Sequence, residues 1–312
     1  MPRVALSALS PQDCATRLAS ARGLSIQTGP VTASLHTRLP DVARAVHALY
    51  AQHPMVADDD FVDFSVRVGR PRGWRQWWHP QVVFELEGQA PFNPLPGDQG
   101  FPLLEWGLNW CVYGTCHQFL ILHAAVLERN GRALILPAPS GSGKSTLCAG
   151  LLFHGWRLVS DELTLICPRK GNIVPIPRPV SLKNESIRVI GDLVPGLQFG
   201  SRVAETTKGI VAHFAPPADA VARASDRATP AWVVMPKYIP GLAATLRPLD
   251  KAQAFMQLVE NSFNYDVFGA EGFQVLGSLI DRSACFSFEY GHLPQAIELF
   301  EQLATAPAAI AA

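Results

Sequence analysis

The run Ser140-Gly141-Ser142-Gly143-Lys144-Ser145-Thr146 has the residue types and spacing that chemistry on a polyphosphate requires. Its two glycines let the backbone turn N–H groups toward an anion. The lysine can bridge β- and γ-phosphates, and the Ser145 hydroxyl can ligate Mg²⁺. The pattern GxxxxGK[ST] opens on glycine, where this chain has Ala138, which a negative φ accommodates. Downstream, Arg157-Leu158-Val159-Ser160-Asp161-Glu162 reads as an apolar strand ending in two carboxylates. Phosphoryl transfer needs carboxylate oxygens for a metal and a base for a hydroxyl proton. Asp161 and Glu162 could divide those tasks; the alternative is one metal-binding Asp161 followed by a solvated Glu162.

The elements that must position these residues can be read locally. Leu134 to Leu136 form an apolar strand, PAPSGSGK a loop, and STLCAGLLFHG a helix closed by Gly155, the strand–loop–helix order that a phosphate loop requires. The helix N-terminus adds its positive dipole end to the same anion site. Upstream, Asn130-Gly131 between apolar runs is a two-residue type I′ hairpin signal. Closing that turn sets Val126 opposite Ile135 and His123 opposite Ala138, beside the mouth of the loop. A functional His123 and a packing one stay equally open.

A length of 312 residues allows one large or two ordinary domains. Residues 1–100 read as a small α+β unit: a strand or hairpin over 24–37, a helix over 40–50, and strands over 60–69 and 79–88. Asp58, Asp59, Asp60 and Asp63 are a metal-site candidate, though a solvated loop entering a strand explains them better. Trp74, Trp77 and Trp78, interleaved with Arg72 and Arg75, suit an exposed hairpin tip better than a ligand site. The Pro/Gly-rich stretch 89–100 reads as a linker into a second domain over 101–312, beginning with a helix near 101–118 and continuing in alternating α/β fashion.

Composition narrows the function. Lysine plus arginine number 26 and so do aspartate plus glutamate, so no global field draws nucleic acid or an anionic membrane. No stretch approaches the ~18–20 apolar residues of a membrane span. The N-terminus lacks a signal-peptide core, and the six cysteines lack zinc spacing, which suggests a reduced, cytoplasmic protein. All six lysines lie at or after position 144. Of these, Lys183 in IPRPVSLKNESI and Lys208 in TTKG, with Arg178, are candidates to neutralise phosphate charge or meet an acceptor.

From His123 to Glu162 the chain resembles the core of bacterial HPr kinase/phosphorylase, with a histidine-led strand, a hairpin, an SGxGKS loop and an RLVxDD-like strand. More widely it is similar to the HPr-kinase-related kinase A group, on EWGLNW (105–110), PVSLKNESI (179–187), TTKGIVAHFAPP (206–217) and FNYDVFGAEGF (263–273). The resemblance implies a phosphoenolpyruvate-carboxykinase-like P-loop kinase core, behind a small α+β N-terminal domain. It implies ATP and Mg²⁺, and a serine-type hydroxyl on a small protein or peptide as acceptor, in company with a PqqD-like peptide chaperone. By position it makes Asp161 the catalytic carboxylate and His123 an active-site histidine. Glu162 stands where the family has a second Asp, and Thr146 where HPr kinases have Glu. The downstream signature of true HPr kinase/phosphorylase is missing, so a degenerate ATP-binding scaffold of the same fold is the alternative. Whether the chain forms a homo-oligomer stays open.

Overall fold

The structure is a computed structural model that describes residues 4–57, 59–71, 80–139 and 141–306. In chain order come helix α1 (Pro11–Ala19), strands β1 (Leu24–Thr28) and β2 (Val31–Thr37), and helix α2 (Pro40–Leu49). Strands β3 (Phe64–Gly69), β4 (Gln81–Leu86) and β5 (Leu95–Pro96) lead to helix α3 (Gly100–Thr115). Strands β6 (Leu120–Arg129) and β7 (Arg132–Pro137), helix α4 (Lys144–Leu152), and strands β8 (Arg157–Ser160), β9 (Leu163–Ile166) and β10 (Ile173–Val174) follow. Then come β11 (Val180–Lys183), α5 (Glu185–Leu193), β12 (Val203–Thr206), β13 (Gly209–Phe214) and α6 (Ala218–Ala222). The chain closes with β14 (Thr229–Tyr238), β15 (Thr245–Pro248), α7 (Lys251–Glu260), α8 (Tyr265–Phe268), α9 (Ala270–Asp281), β16 (Ala284–Tyr290) and α10 (Leu293–Thr305). The protein is therefore mixed α/β, and no helix among the described residues is long and apolar enough to cross a membrane.

Two compact units share this chain. Unit 1 takes Met1–Thr115, Arg178–Ile187 and Leu197–Ala222; unit 2 takes Cys116–Pro177, Arg188–Gly196 and Arg223–Ala312. In unit 1 five strands lie in the order β1-β2-β3-β4-β5, and β11-β13-β12 form a second, antiparallel sheet. The break expected at residue 100 falls inside this unit. Helix α3 belongs to its core because Gly107 seats against Phe84, where an added Cβ would lie 2.1 Å from a ring carbon. The buried Tyr50 hydroxyl also donates to Glu105 on that helix at 2.5 Å. In the acidic cluster Asp63 accepts the Thr32 N–H at 2.8 Å, tying the loop to β2; Asp58 and the Trp74/Trp77/Trp78 stretch lie outside the described residues.

Unit 2 is built on an eight-stranded sheet ordered β10-β9-β6-β7-β14-β16-β15, with β8 also paired to β6. Strands β7, β14 and β16 run parallel, so all three end on the same edge. The β6–β7 hairpin has the register expected from its turn, Val126 opposite Ile135, with Asn130 at φ 54 and Gly131 at φ 78. Leu122, Ala124, Val126 and Ile135 fill one face together with Leu258 of α7 and Leu276 of α9. Helices α4 and α10 pack together, with Gly150 set closely against Leu293 and Ile297.

Candidate functional site

The site grows out of the end of β7. After Pro137 the chain leaves the sheet through Ala138, which is buried, and reaches Gly141 and Gly143 with φ of 88 and 87. This left-handed backbone is open to glycine and strained for other residues. An added Cβ on Gly141 would meet nothing within 4 Å, whereas on Gly143 it would strike the Tyr290 hydroxyl oxygen at 2.5 Å and the Tyr238 Cβ at 2.8 Å. Gly143 is the N-cap of α4 and makes no side-chain cap hydrogen bond. As at any helix start, the N–H groups of the first turn have no carbonyl partners within the helix, and the dipole makes the end favourable to an anion. Ser140 lies outside the described residues, while Gly141, Ser142, Ser145 and Thr146 occupy the loop and the first helical turn.

Lys144 and Asp161 are the buried charges here, 6% and 7% exposed. Both act on the buried Cys148 thiol, one turn into α4 from Lys144. Burial pushes that thiol well above the ordinary cysteine range, the Asp161 carboxylate adds to the rise, and the Lys144 ammonium opposes it. A lysine at the start of α4 and a carboxylate from the bend after β8 thus influence one side chain of the helix. Glu162, next in sequence, is only half-buried.

Strand β8 ends at Ser160, just before the two carboxylates as the sequence suggested, and a further strand, β9, begins at Leu163. Strands β8 and β9 both pair with β6, Ser160 opposite Val126 and Leu163 opposite His123. Asp161 and Glu162 form a bend within a continuing ladder. They are level with Ala125 and Ala124 on β6, and so with Leu136 and Pro137 at the end of β7. The interruption releases two carboxylates from sheet geometry at the height where the glycine loop departs. A one-residue irregularity in β8 just before Ser160 re-aims the strand, as bulges near sites commonly do.

His123 reaches the same neighbourhood by a different route from the expected one. The β6–β7 ladder closes at Ala124 opposite Pro137, so His123 takes Leu163 of β9 as its strand partner. Its backbone N–H donates to the Asn261 carbonyl at 2.6 Å, and its ring lies 5.8 Å from that of Phe263. Buried Asn264 braces the start of β6, accepting the Ile121 N–H and donating to the Phe119 carbonyl, each at 2.9 Å.

The three remaining cationic candidates belong to unit 1. Arg178 is committed to Glu105, at 3.7 Å, and to the Asn109 amide oxygen, inside the Tyr50 cluster. Lys183 ends β11 opposite Val211. Lys208 sits in the β12–β13 turn with its ammonium 5.3 Å from the Trp106 ring.

Two residues that local reasoning passed over support the loop. Tyr238 and Tyr290 end the parallel strands β14 and β16 side by side. The Tyr290 hydroxyl donates to the Gly143 carbonyl at 2.8 Å, and the Tyr238 N–H donates to the Ser142 carbonyl at 2.9 Å. Burial raises the Tyr290 phenol well above the ordinary tyrosine range, with Tyr238 adding to it, so it stays a donor at neutral pH. Their only sequence signal is a tyrosine closing each of two apolar strands.

A family model described as SynChlorMet cassette protein ScmC matches residues 106–181. That minority of the chain contains β6, the glycine loop, α4 and the Asp161–Glu162 bend. No curated protein matches the chain.

Proposed function

We propose that the protein is an ATP-dependent kinase that phosphorylates a serine-type hydroxyl on a small protein or peptide, with a P-loop core of the phosphoenolpyruvate-carboxykinase-like type. The observation that carries this reading is the start of α4 at Lys144, behind the positive-φ Gly141 and Gly143 and at the carboxyl edge of three parallel strands, with the buried Asp161 level with the end of β7. Ligands of open α/β sheets bind at that edge. The positive φ of Gly141 and Gly143, the open space over Gly141 and the buried Lys144 and Asp161 fit a bound polyphosphate with its metal.

In this reading the loop amides and Lys144 hold the phosphates. Mg²⁺, held by Ser145 with Asp161 or Glu162, would withdraw charge from the transferring group. Asp161 takes the proton of the acceptor hydroxyl as its oxygen bonds to the γ-phosphorus. The bond from that phosphorus to the β–γ bridging oxygen breaks, and ADP leaves. Tyr290 and Tyr238 keep the loop in its anion-binding shape, and His123 lies on the acceptor side. The similarity to a protein named for a cassette favours an acceptor produced alongside this enzyme, in company with a PqqD-like chaperone. The missing downstream signature and Ala138 favour the second reading, an ATP-binding scaffold.

Incubating the protein with γ-labelled ATP and candidate acceptor peptides tests both. Label on an acceptor, lost by about 10²–10⁴-fold in Asp161→Asn with nucleotide affinity kept, is the expected result. Nucleotide binding without transfer to any acceptor selects the scaffold. A parallel loss of nucleotide affinity in Asp161→Asn makes Asp161 a metal ligand instead.

A further inference from the structure

We infer that the helical face made by α7, α8 and α9 is a docking surface for a cationic, apolar peptide segment that carries the acceptor hydroxyl. This inference rests on the kinase reading and names its substrate class. On these helices and their connections Phe263, Val267 and Phe273 are 42%, 64% and 61% exposed. Soluble surfaces rarely gather large apolar side chains without a partner to cover them. Phe273 is braced from below: the Phe255 ring lies 5.2 Å from it and 6.4 Å from Tyr265, and Gly272 packs tightly against Phe268 and Tyr265.

Charge identifies the occupant. Helices α7, α8 and α9 with their connections carry Glu260, Asp266, Glu271 and Asp281 against Lys251 at the start of α7 and Arg282 at the end of α9. In a chain with balanced charge this is a local acidic excess, and the exposed Glu260, Asp266 and Glu271 stand within three residues of Phe263, Val267 and Phe273 in sequence. Acidic side chains interspersed with apolar ones select basic side chains flanking apolar ones. Location ties the face to the transfer site. Phe263, at its inner end, packs on His123, and its backbone N–H donates to the Ile121 carbonyl at 2.9 Å, so a segment lying there has its next residues beside the loop.

The test uses the full chain and two fluorescein-labelled synthetic peptides with one serine each. In one the serine is flanked by leucine, phenylalanine and lysine, and in the other every lysine is replaced by glutamate. Fluorescence anisotropy should show the lysine peptide binding at least tenfold more tightly, with the advantage shrinking as salt rises. Phe273→Ser and the pair Asp266→Lys/Glu271→Lys should each cut that binding at least fivefold while leaving nucleotide affinity unchanged. Equal binding of the two peptides, or binding indifferent to both variants, overturns the proposal. So does a concentration-dependent dimer that Phe273→Ser dissociates, since the face would then belong to a second copy. The assay does not need phosphoryl transfer: lysine-peptide binding without label transfer sinks the kinase reading alone, and transfer without binding preference sinks only the docking surface.

Discussion

The β6–β7 hairpin has buried charge at both of its ends, arranged in opposite ways. At the turn, the Glu128 carboxylate accepts from Arg157 at 2.5 Å, from Arg223 at 3.3 Å and from the Gly131 N–H at 2.5 Å. Arg157 also donates from its two terminal nitrogens to the Arg223 and Asp226 carbonyls, at 3.1 and 2.8 Å. At the other end the buried Lys144 and Asp161 lie at the start of α4 and level with the end of β7. The first cluster turns its donors onto its own acceptors. The second is set at a helix start, whose dipole favours an anion. Burial of charge alone does not mark a site; the direction in which the neighbouring donors face does.

Exchanging the damage at the two ends is the strongest way to break this contrast. Arg157→Met takes the strongest partner from the buried Glu128 carboxylate, leaving it Arg223 and the Gly131 N–H, and should cost about 3 kcal/mol of stability, read by denaturant unfolding. Nucleotide affinity of the protein that remains folded should not change. Asp161→Asn should do the reverse, with small loss of stability and large loss of transfer. The turn cluster also has a pH signature. Burial pushes the Glu128 carboxyl up, but Arg157, the Gly131 N–H and Arg223 outweigh it and hold it below the usual carboxylate range. The unfolded chain therefore binds the proton first, and this contribution is present at neutral pH and lost as pH falls below that range. Arg157→Met should flatten that acid limb of the stability profile.

A smaller contrast separates the glycines at the two ends. Gly131 and Gly143 both have left-handed backbone, at φ 78 and 87, so alanine at either costs about 1–2 kcal/mol. An added methyl at Gly131 meets nothing within 4 Å, whereas at Gly143 it collides with Tyr290 and Tyr238. Gly143→Ala should then lose roughly 1–3 kcal/mol more than Gly131→Ala in thermal unfolding, the overpacking increment. It should also weaken nucleotide binding, which Gly131→Ala should leave alone. Equal losses at the two positions would mean that the tyrosines yield, and that they do not shape the loop.

The hairpin and the glycine loop were legible in the sequence because local chemistry determines them. Asn130-Gly131 set the turn, the turn set Val126 opposite Ile135, and the helix expected from Ser145 opens one residue earlier, at Lys144. What local chemistry does not determine was missed. A separate strand, β9, follows the Asp161-Glu162 bend because β6 extends past the end of β7 and offers it a partner, a fact of strand length that Asp161-Glu162 does not encode. Arg178 reads as a phosphate clamp in IPRPVSLK, but Glu105 and Asn109, far away in the chain, already hold it. Helix α3 joined unit 1 through Gly107 and Phe84, a pairing that linker composition at 89–100 cannot express.

The tyrosines behind the loop make the finest distinction between a formed site and a merely buried one. Tyr290 donates to the Gly143 carbonyl, and that same oxygen accepts the Leu147 N–H at 3.0 Å as the first bond of α4. Tyr290→Phe therefore leaves no orphaned acceptor, and its cost should be only about 0.5–1.5 kcal/mol. If the bond orients the loop for an anion, nucleotide affinity should fall a few-fold even at temperatures where the variant is fully folded. An unchanged affinity would reduce Tyr290 to packing against Phe288, its stacked neighbour at 5.2 Å. The phenol offers an independent check. Because its folded proton affinity is raised above that of the unfolded chain, unfolding releases the proton above the ordinary tyrosine range, and stability declines there as pH rises. Tyr290→Phe should weaken that alkaline decline without altering the acid limb governed by Glu128, which separates the two ends of the hairpin in one titration.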